Sequence, residues 1–187
     1  MEISSESVKV GHPDLVADII AANVIAAILD KEKKEKEGLN LANMPHCGLE
    51  VFLGKGICLV GGEVRTRVNV DIDKIARESV LELGYNHASV GLNGHLMGVL
   101  NAIIPQSPDI NQGTSCLLNK KGEIGAGDQG IMYGFACDDT PELLPMPYVL
   151  ANKLMRAFEY CQDPIFAPDG KGQVSVDYDL KTGKPVR

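Results

Sequence analysis

Leu49-Glu50-Val51-Phe52-Leu53-Gly54-Lys55-Gly56-Ile57-Cys58-Leu59-Val60-Gly61-Gly62-Glu63 is the stretch that decides the fold class. Leu49, Val51 and Leu53 alternate with Glu50 and Phe52, the period of two expected for a strand with one buried face. Gly54-Lys55-Gly56 turns the chain into a second apolar run over residues 57–60, and Gly61-Gly62 reads as its end. The stretch is therefore a β-hairpin. Outward on the N-terminal side, Pro13 suits a first helical turn, because its missing N–H has no partner to lose there. Leu15, Val16, Ile19, Ile20, Val24, Ile25, Ile28 and Leu29 then recur near the helical period, and the helix runs out into a mixed-charge, solvated end over residues 31–37.

On the other side, residues 71–83 read as a second helix stopped by Gly84. Residues 96–104 read as an apolar strand. Residues 105–123, rich in Gly, Asn, Ser and Pro, read as a mobile loop, and a loop of that length in a compact domain is usually functional or disordered. Residues 130–137 read as a strand, 147–161 as a third helix burying Val149, Leu150, Leu154 and Phe158, and 173–178 as a strand turned by Lys181-Thr182-Gly183. Its returning strand has only Pro185, Val186 and Arg187, so the expectation is a fragment, or a sheet edge completed by another chain. The predicted class is α+β, with mixed sheets covered on one face by the three helices.

Composition narrows the function. At 187 residues and 44% apolar, the chain can build one or two small cores. A net charge of −7 argues against non-specific binding to nucleic acid or to membrane surfaces. The longest apolar stretch, residues 19–29, is interrupted by Asn23 and is too short to span a bilayer. Cys47, Cys58, Cys116, Cys137 and Cys161 are odd in number and lack Cys-x-x-Cys spacing, which fits reduced thiols in a cytoplasmic protein. Cys58 and Cys137 read as core thiols.

Several polar groups carry possible chemistry. In Gly11-His12-Pro13-Asp14 an imidazole and a carboxylate sit at a helix start. Asp14 can hold Mg²⁺, which takes oxygen ligands, or can cap the helix. His12 can donate to a phosphate or ribose oxygen, or be an ordinary turn residue. Glu50 and Glu63, separated by the hairpin, could bind a cation or an amino group if they meet, or be solvated strand residues. Gln106 opens the polar loop, which can close on a ligand as a lid does. Asp128 is the one acid in Gly125-Ala126-Gly127-Asp128-Gln129-Gly130, where small residues allow close approach. Asp169 and Lys171 lie in a Pro-Asp-Gly-Lys turn, with Lys171 the cation placed to meet a phosphate. No P-loop, dinucleotide fingerprint or Ser/His/Asp arrangement is present.

Taken in order, Ser5-Glu6-Ser7-Val8, Gly11-His12-Pro13-Asp14, Val60-Gly61-Gly62-Glu63, residues 106–113, residues 125–130, Pro168-Asp169 and Lys171-Gly172-Gln173-Val174 resemble the S-adenosylmethionine synthetase (methionine adenosyltransferase) family over nearly the whole chain. The resemblance implies an N-terminal domain over 1–105, a flexible active-site loop over 106–124 and the first part of a central domain over 125–187. The pseudo-threefold, three-domain fold of the family would be only partly present. It implies a transferase that joins L-methionine to ATP, the sulfur attacking C5′ of the ribose and expelling triphosphate, which is cleaved to pyrophosphate and phosphate. His12 and Asp128 would be catalytic. His12, Asp169 and Lys171 would contact ATP, and Glu63, Gln106 and Asp128 would contact methionine. Asp14 would ligate Mg²⁺ and Glu50 would belong to a K⁺ site. The site would lie between two subunits of a homodimer or heteromer, His12 and Asp14 of one facing Glu50, Glu63, Gln106 and Asp128 of the other.

Two positions depart from the family pattern. Leu15 stands where the family carries Lys, and Ala167 where it carries Arg; each change deletes a cation near the expected phosphates. The lysines and arginines that clamp the triphosphate are expected in a later part of the family's sequence. Because losing one preorganised donor costs about 3 kcal/mol in a barrier, the expectation is that turnover needs a complementary C-terminal half. The rival expectation is a non-catalytic relative that binds a partner subunit or nucleotide without turnover.

Overall fold

The computed structural model describes residues 1–35, 39, 44–107, 129–161, 163 and 165–186. They fall into two compact units, one made of residues 13–130 and the other of residues 1–12 with 131–187.

The larger unit is built on the hairpin. Strands β2 (His46–Gly54) and β3 (Ile57–Arg65) pair antiparallel, with Glu50 opposite Gly61 and Gly48 opposite Glu63. The second strand thus runs through Gly61-Gly62 rather than ending there. It can do so because Gly62 adopts φ 120°, and a Cβ at that position would lie 2.0 Å from the Gly48 carbonyl oxygen. Only glycine relieves both constraints. Helix α1 (Pro13–Lys34) precedes the hairpin, while α2 (Ile72–Glu82) carries the chain from β3 to β4 (Gly98–Pro105), which lies parallel to β3. The sheet order is β2-β3-β4, one antiparallel and one parallel pairing, hence mixed. Asp71 caps α2, its side chain accepting from the Lys74 N–H at 3.0 Å.

Both helices cover one face of this sheet. Val16, Ile20, Val24 and Ile28 recur every fourth residue along α1 and join Cys58, Val60, Ala76 and Val80 in the core. Asn23, the polar break in the apolar run, donates to Ser79 Oγ on α2 at 2.8 Å. The expected solvated helix end departs from this picture at Glu32, which is fully buried. Its carboxylate accepts from Thr66 Oγ1 (2.8 Å), Arg67 N–H (2.7 Å) and Arg67 Nε (2.8 Å), pinning the chain after β3 to α1. Residues 36 and 37 of the charged run lie outside the described residues.

The smaller unit joins the two ends of the chain. Strand β1 (Glu2–Val8) pairs antiparallel with β5 (Lys171–Asp177), Glu2 opposite Asp177 and Val8 opposite Lys171. Helix α3 (Met146–Tyr160) packs on this pair, burying Pro147, Val149, Ala151 and Met155. Leu150 and Leu154, expected on the buried side, are 41% and 38% exposed. The turn after β5 brings Pro185 back only to an isolated bridge with Tyr178.

Among the described residues, the expected strand over residues 130–137 is not seen. The described chain there pairs with neither sheet, and Ile131, Met132, Tyr133 and Phe135 are exposed. Alternating apolar residues propose a strand, but a ladder needs a neighbour, and none of the described segments supplies one. Cys137, expected in a core strand, is half-buried outside any strand, whereas Cys58 is buried in β3 as expected. The chain is α+β, its mixed and antiparallel sheets each covered by helices on one face.

Candidate active site

Pleat alternation sorts the hairpin residues. Cα partners across a sheet share a face, so Gly48, Glu50 and Phe52 of β2, Leu59, Gly61 and Glu63 of β3, and Leu100, Ala102 and Ile104 of β4 lie together on the face away from the helices. Phe52 is 64% exposed and Ile104 56% exposed, as a face without covering elements among the described residues requires. Glu50 is exposed and Glu63 half-buried. Glu63 is opposite Ile104, and Gln106 is two residues further along, its N–H donating to the Val64 carbonyl at 3.1 Å. The structure therefore places Glu50 and Glu63 on one open face, Glu50 at mid-strand and Glu63 near the end that Gln106 follows. That end is where the parallel strands β3 and β4 both terminate. Gln106 Oε1 is buried there without a hydrogen-bond partner among the described residues. A buried amide oxygen left unpaired costs free energy that a donor on a ligand would recover.

The remaining candidates lie elsewhere. Asp14 is exposed in the first turn of α1, in the same unit. His12, Asp169 and Lys171 belong to the smaller unit. Half-buried His12 donates its backbone N–H to the Lys9 carbonyl at 2.9 Å. Asp169 is exposed. Lys171 ion-pairs with Glu6 across the β1–β5 ladder, so a carboxylate already faces the lysine expected to meet a phosphate. Asp128 and residues 108–127, with the body of the expected loop, lie outside the described residues. Leu15 is 36% exposed, and Ala167 is exposed with its carbonyl turned to Lys9.

Other chemistry finds little support. Burial pushes the Cys58 thiol up, and burial together with the Glu32 charge does the same to Cys47, so both stay protonated and poorly nucleophilic. His87, exposed, caps a single 3-10 turn. No cluster of three or more His, Cys, Asp or Glu that could hold a metal exists among the described residues. A hollow of about 480 Å³ opens on the helix side of β4, lined by Ile28, Val64, Arg67, Asn69, Asn101 and Ile103 among others, and none of the candidate residues lines it. Among the described residues no helix is long and apolar enough to cross a membrane.

Sequence reasoning missed Lys9 and Glu32. Glu32 continues the α1 stripe at Ile28 plus four, a periodicity that the surrounding charges obscured.

Comparison with known proteins defines the class first: two consecutive domains of one enzyme family match. The model described as S-adenosylmethionine synthetase, N-terminal domain, covers residues 1–108, and that described as the central domain covers residues 123–187. The chain belongs to the S-adenosylmethionine synthetase family. It is 41% identical over 187 residues to the S-adenosylmethionine synthase of Helicobacter hepaticus, a match covering 98% of this chain and 45% of that protein. The enzyme of that name from Helicobacter pylori strain J99 is 42% identical over 189 residues, again 98% and 45%. That from Myxococcus xanthus is 41% identical, covering 98% of this chain and 43% of the relative. The chain thus spans less than half the length of these relatives.

Proposed function

We propose that this chain supplies part of an S-adenosylmethionine synthetase, which forms S-adenosylmethionine from L-methionine and ATP and releases pyrophosphate and phosphate. The observation that carries this reading is Gln106 Oε1, buried without a hydrogen-bond partner among the described residues, two residues after Ile104, the register partner of Glu63. An acid and an amide oxygen on neighbouring strand ends suit the ammonium of an amino-acid substrate, which brings three donors. With the ammonium held there and at Asp128, the methionine sulfur is presented to C5′ of ATP. The sulfur lone pair forms the new S–C bond while the C5′–O bond breaks and its electrons leave with triphosphate. His12, contributed by the facing subunit of the pair, donates to the departing oxygen, and Asp169 and Lys171 hold the nucleotide. Residues 1–105, 106–124 and 125–187 take the roles of N-terminal domain, flexible loop and first part of the central domain.

Metal dependence goes with this reading. A single exposed carboxylate such as Asp14 fits Mg²⁺, which keeps several waters and shares phosphate oxygens rather than needing a protein cage. Glu50, exposed on the open face, fits a K⁺ site. Bound there, the cations would neutralise phosphate charge. The open face of β2-β3-β4, apolar at Phe52, Leu100 and Ile104 with carboxylates at Glu50 and Glu63, supports a subunit partner, either a second copy or a chain carrying the remaining half. Free cysteines at positions 47, 58, 137 and 161 support a cytoplasmic setting.

The test combines the chain with a polypeptide completing the relatives' length, then adds ATP, methionine, Mg²⁺ and K⁺. S-adenosylmethionine should form, and Asp128→Asn should abolish it while the chain still folds. No product from the mixture defeats the reading. A second reading, binding without turnover, is favoured by Leu15 and Ala167; nucleotide binding by an inactive mixture would establish it.

A further inference from the structure

Lys9 is 9% exposed, yet its ammonium has a single partner given by the structure, the Ala167 carbonyl at 2.6 Å. Among the described residues no carboxylate lies within ion-pair distance of it. Three other lysines of the smaller unit carry a carboxylate partner, Lys153 with Glu142, Lys171 with Glu6 and Lys184 with Asp138, while Lys181 is exposed to solvent in the turn after β5. A buried cation without a counter-charge is expensive, and among the described residues two of its three donors find no partner.

The surroundings are built, not incidental. The Lys9 N–H donates to the Gly170 carbonyl at 2.8 Å, and the Lys9 stem lies so close to Gly170 that a Cβ there would meet Lys9 Cδ at 2.7 Å. Two residues on, a Cβ on Gly11 would stand 2.4 Å from the Pro168 carbonyl oxygen. Residues 9–11 and 167–170 are thus pressed backbone to backbone. His12 is folded onto the same corner by its bond to the Lys9 carbonyl. One corner of the unit therefore holds a buried ammonium without a described counter-charge, the residue His12 and the exposed Asp169.

We propose that Lys9 binds a phosphate group of the polyphosphate chain of ATP at this corner, supplying the positive charge that Lys171, faced by Glu6, does not bring free. The proposal rests on the synthetase reading for the identity of the nucleotide, and on the corner alone for the anion. It also offers this chain a cation of its own beside Ala167, where the side chain carries none.

The test is lysine acetylation with acetic anhydride read by mass spectrometry, on the wild-type chain with and without sodium tripolyphosphate or ATP. Lys9 should be protected by both anions, while Lys181, exposed in the turn after β5, should react equally in all samples. Calorimetric titration with tripolyphosphate should show Lys9→Met weakening binding about tenfold to hundredfold, the size of one charge-assisted hydrogen bond. Lys9→Arg should keep most of the affinity and Lys181→Met all of it. Absence of Lys9 protection, or equal weakening by Lys181→Met, overturns the proposal. So does undiminished binding by a folded Lys9→Met, because a purely structural clamp would lower the melting temperature and leave affinity unmoved. Protection by tripolyphosphate alone overturns the nucleotide assignment. S-adenosylmethionine formation by the completed mixture without Lys9 protection removes the corner and keeps the reaction; the converse result keeps the corner and removes the reaction.

Discussion

The Arg67 guanidinium closes at 2.7 Å on a Glu32 carboxylate that is sealed from solvent. Burial pushes the Glu32 carboxyl up, but bonds from the Arg67 N–H, Thr66 Oγ1 and the guanidinium, with its charge, outweigh burial and hold it below the usual carboxylate range. A group stabilised in its charged form contributes stability above its ordinary titration range, and loses it as pH falls through the lower folded value.

Glu32→Gln should therefore cost about 2 kcal/mol in urea unfolding at neutral pH, less than a fully buried pair because Arg67 is partly solvated. The difference between variant and wild type should shrink as pH falls into the acid range. Equal stability at neutral pH would show that the network does not hold the chain after β3.

Gly62→Ala should destabilise the larger unit by about 3 kcal/mol or more, since the new methyl overlaps the Gly48 carbonyl and φ 120° disfavours any side chain. Thermal unfolding checks this, and a melting temperature within a degree or so of wild type would mean that β3 is not continuous through Gly61-Gly62.

Tyr178 is 8% exposed and donates to Asp139 Oδ2 at 2.6 Å; burial, then the bond to Asp139 and its charge, push its phenol up to about 12. An ultraviolet titration should show a phenol ionising well above the ordinary range, and Tyr178→Phe should remove that step. Because the folded value is raised, its contribution is complete below the ordinary phenol range and lost as pH rises through about 12. Tyr178→Phe should cost about 1 kcal/mol at neutral pH.

Gln106→Met should change chain stability by less than about 1 kcal/mol, because it removes an acceptor already without a partner. In the completed enzyme the same substitution should raise the KM for methionine and leave that for ATP unchanged. A rise in both would place Gln106 outside the methionine contact.

The hairpin was legible because its alternation and its Gly-Lys-Gly turn are local signals, and the three helices because their stripes are local too. What the sequence did not disclose is non-local. The pairing of Glu2–Val8 with residues 171–177 joins segments whose patterns are individually weak. Residues 131–137 carry strand-like composition without a described neighbour. Glu50 and Glu63 were recognisable as acids; only the register, through Gly48 and Gly61, places both on the open face. Lys9 has no motif at all, and only its distance to Ala167 distinguishes it from a solvated lysine.

The β1–β5 ladder also sets an order of events at the ribosome. Residues 2–8 have their hydrogen-bonding mate at positions 171–177, so they must wait, unmatched, while the entire larger unit emerges and closes over its own local contacts. During that interval the segment bearing His12 hangs from an already folded body. Slow or paused translation between positions 130 and 171 would lengthen the wait, and with it the exposure of Glu2–Val8 to mispairing with other nascent chains.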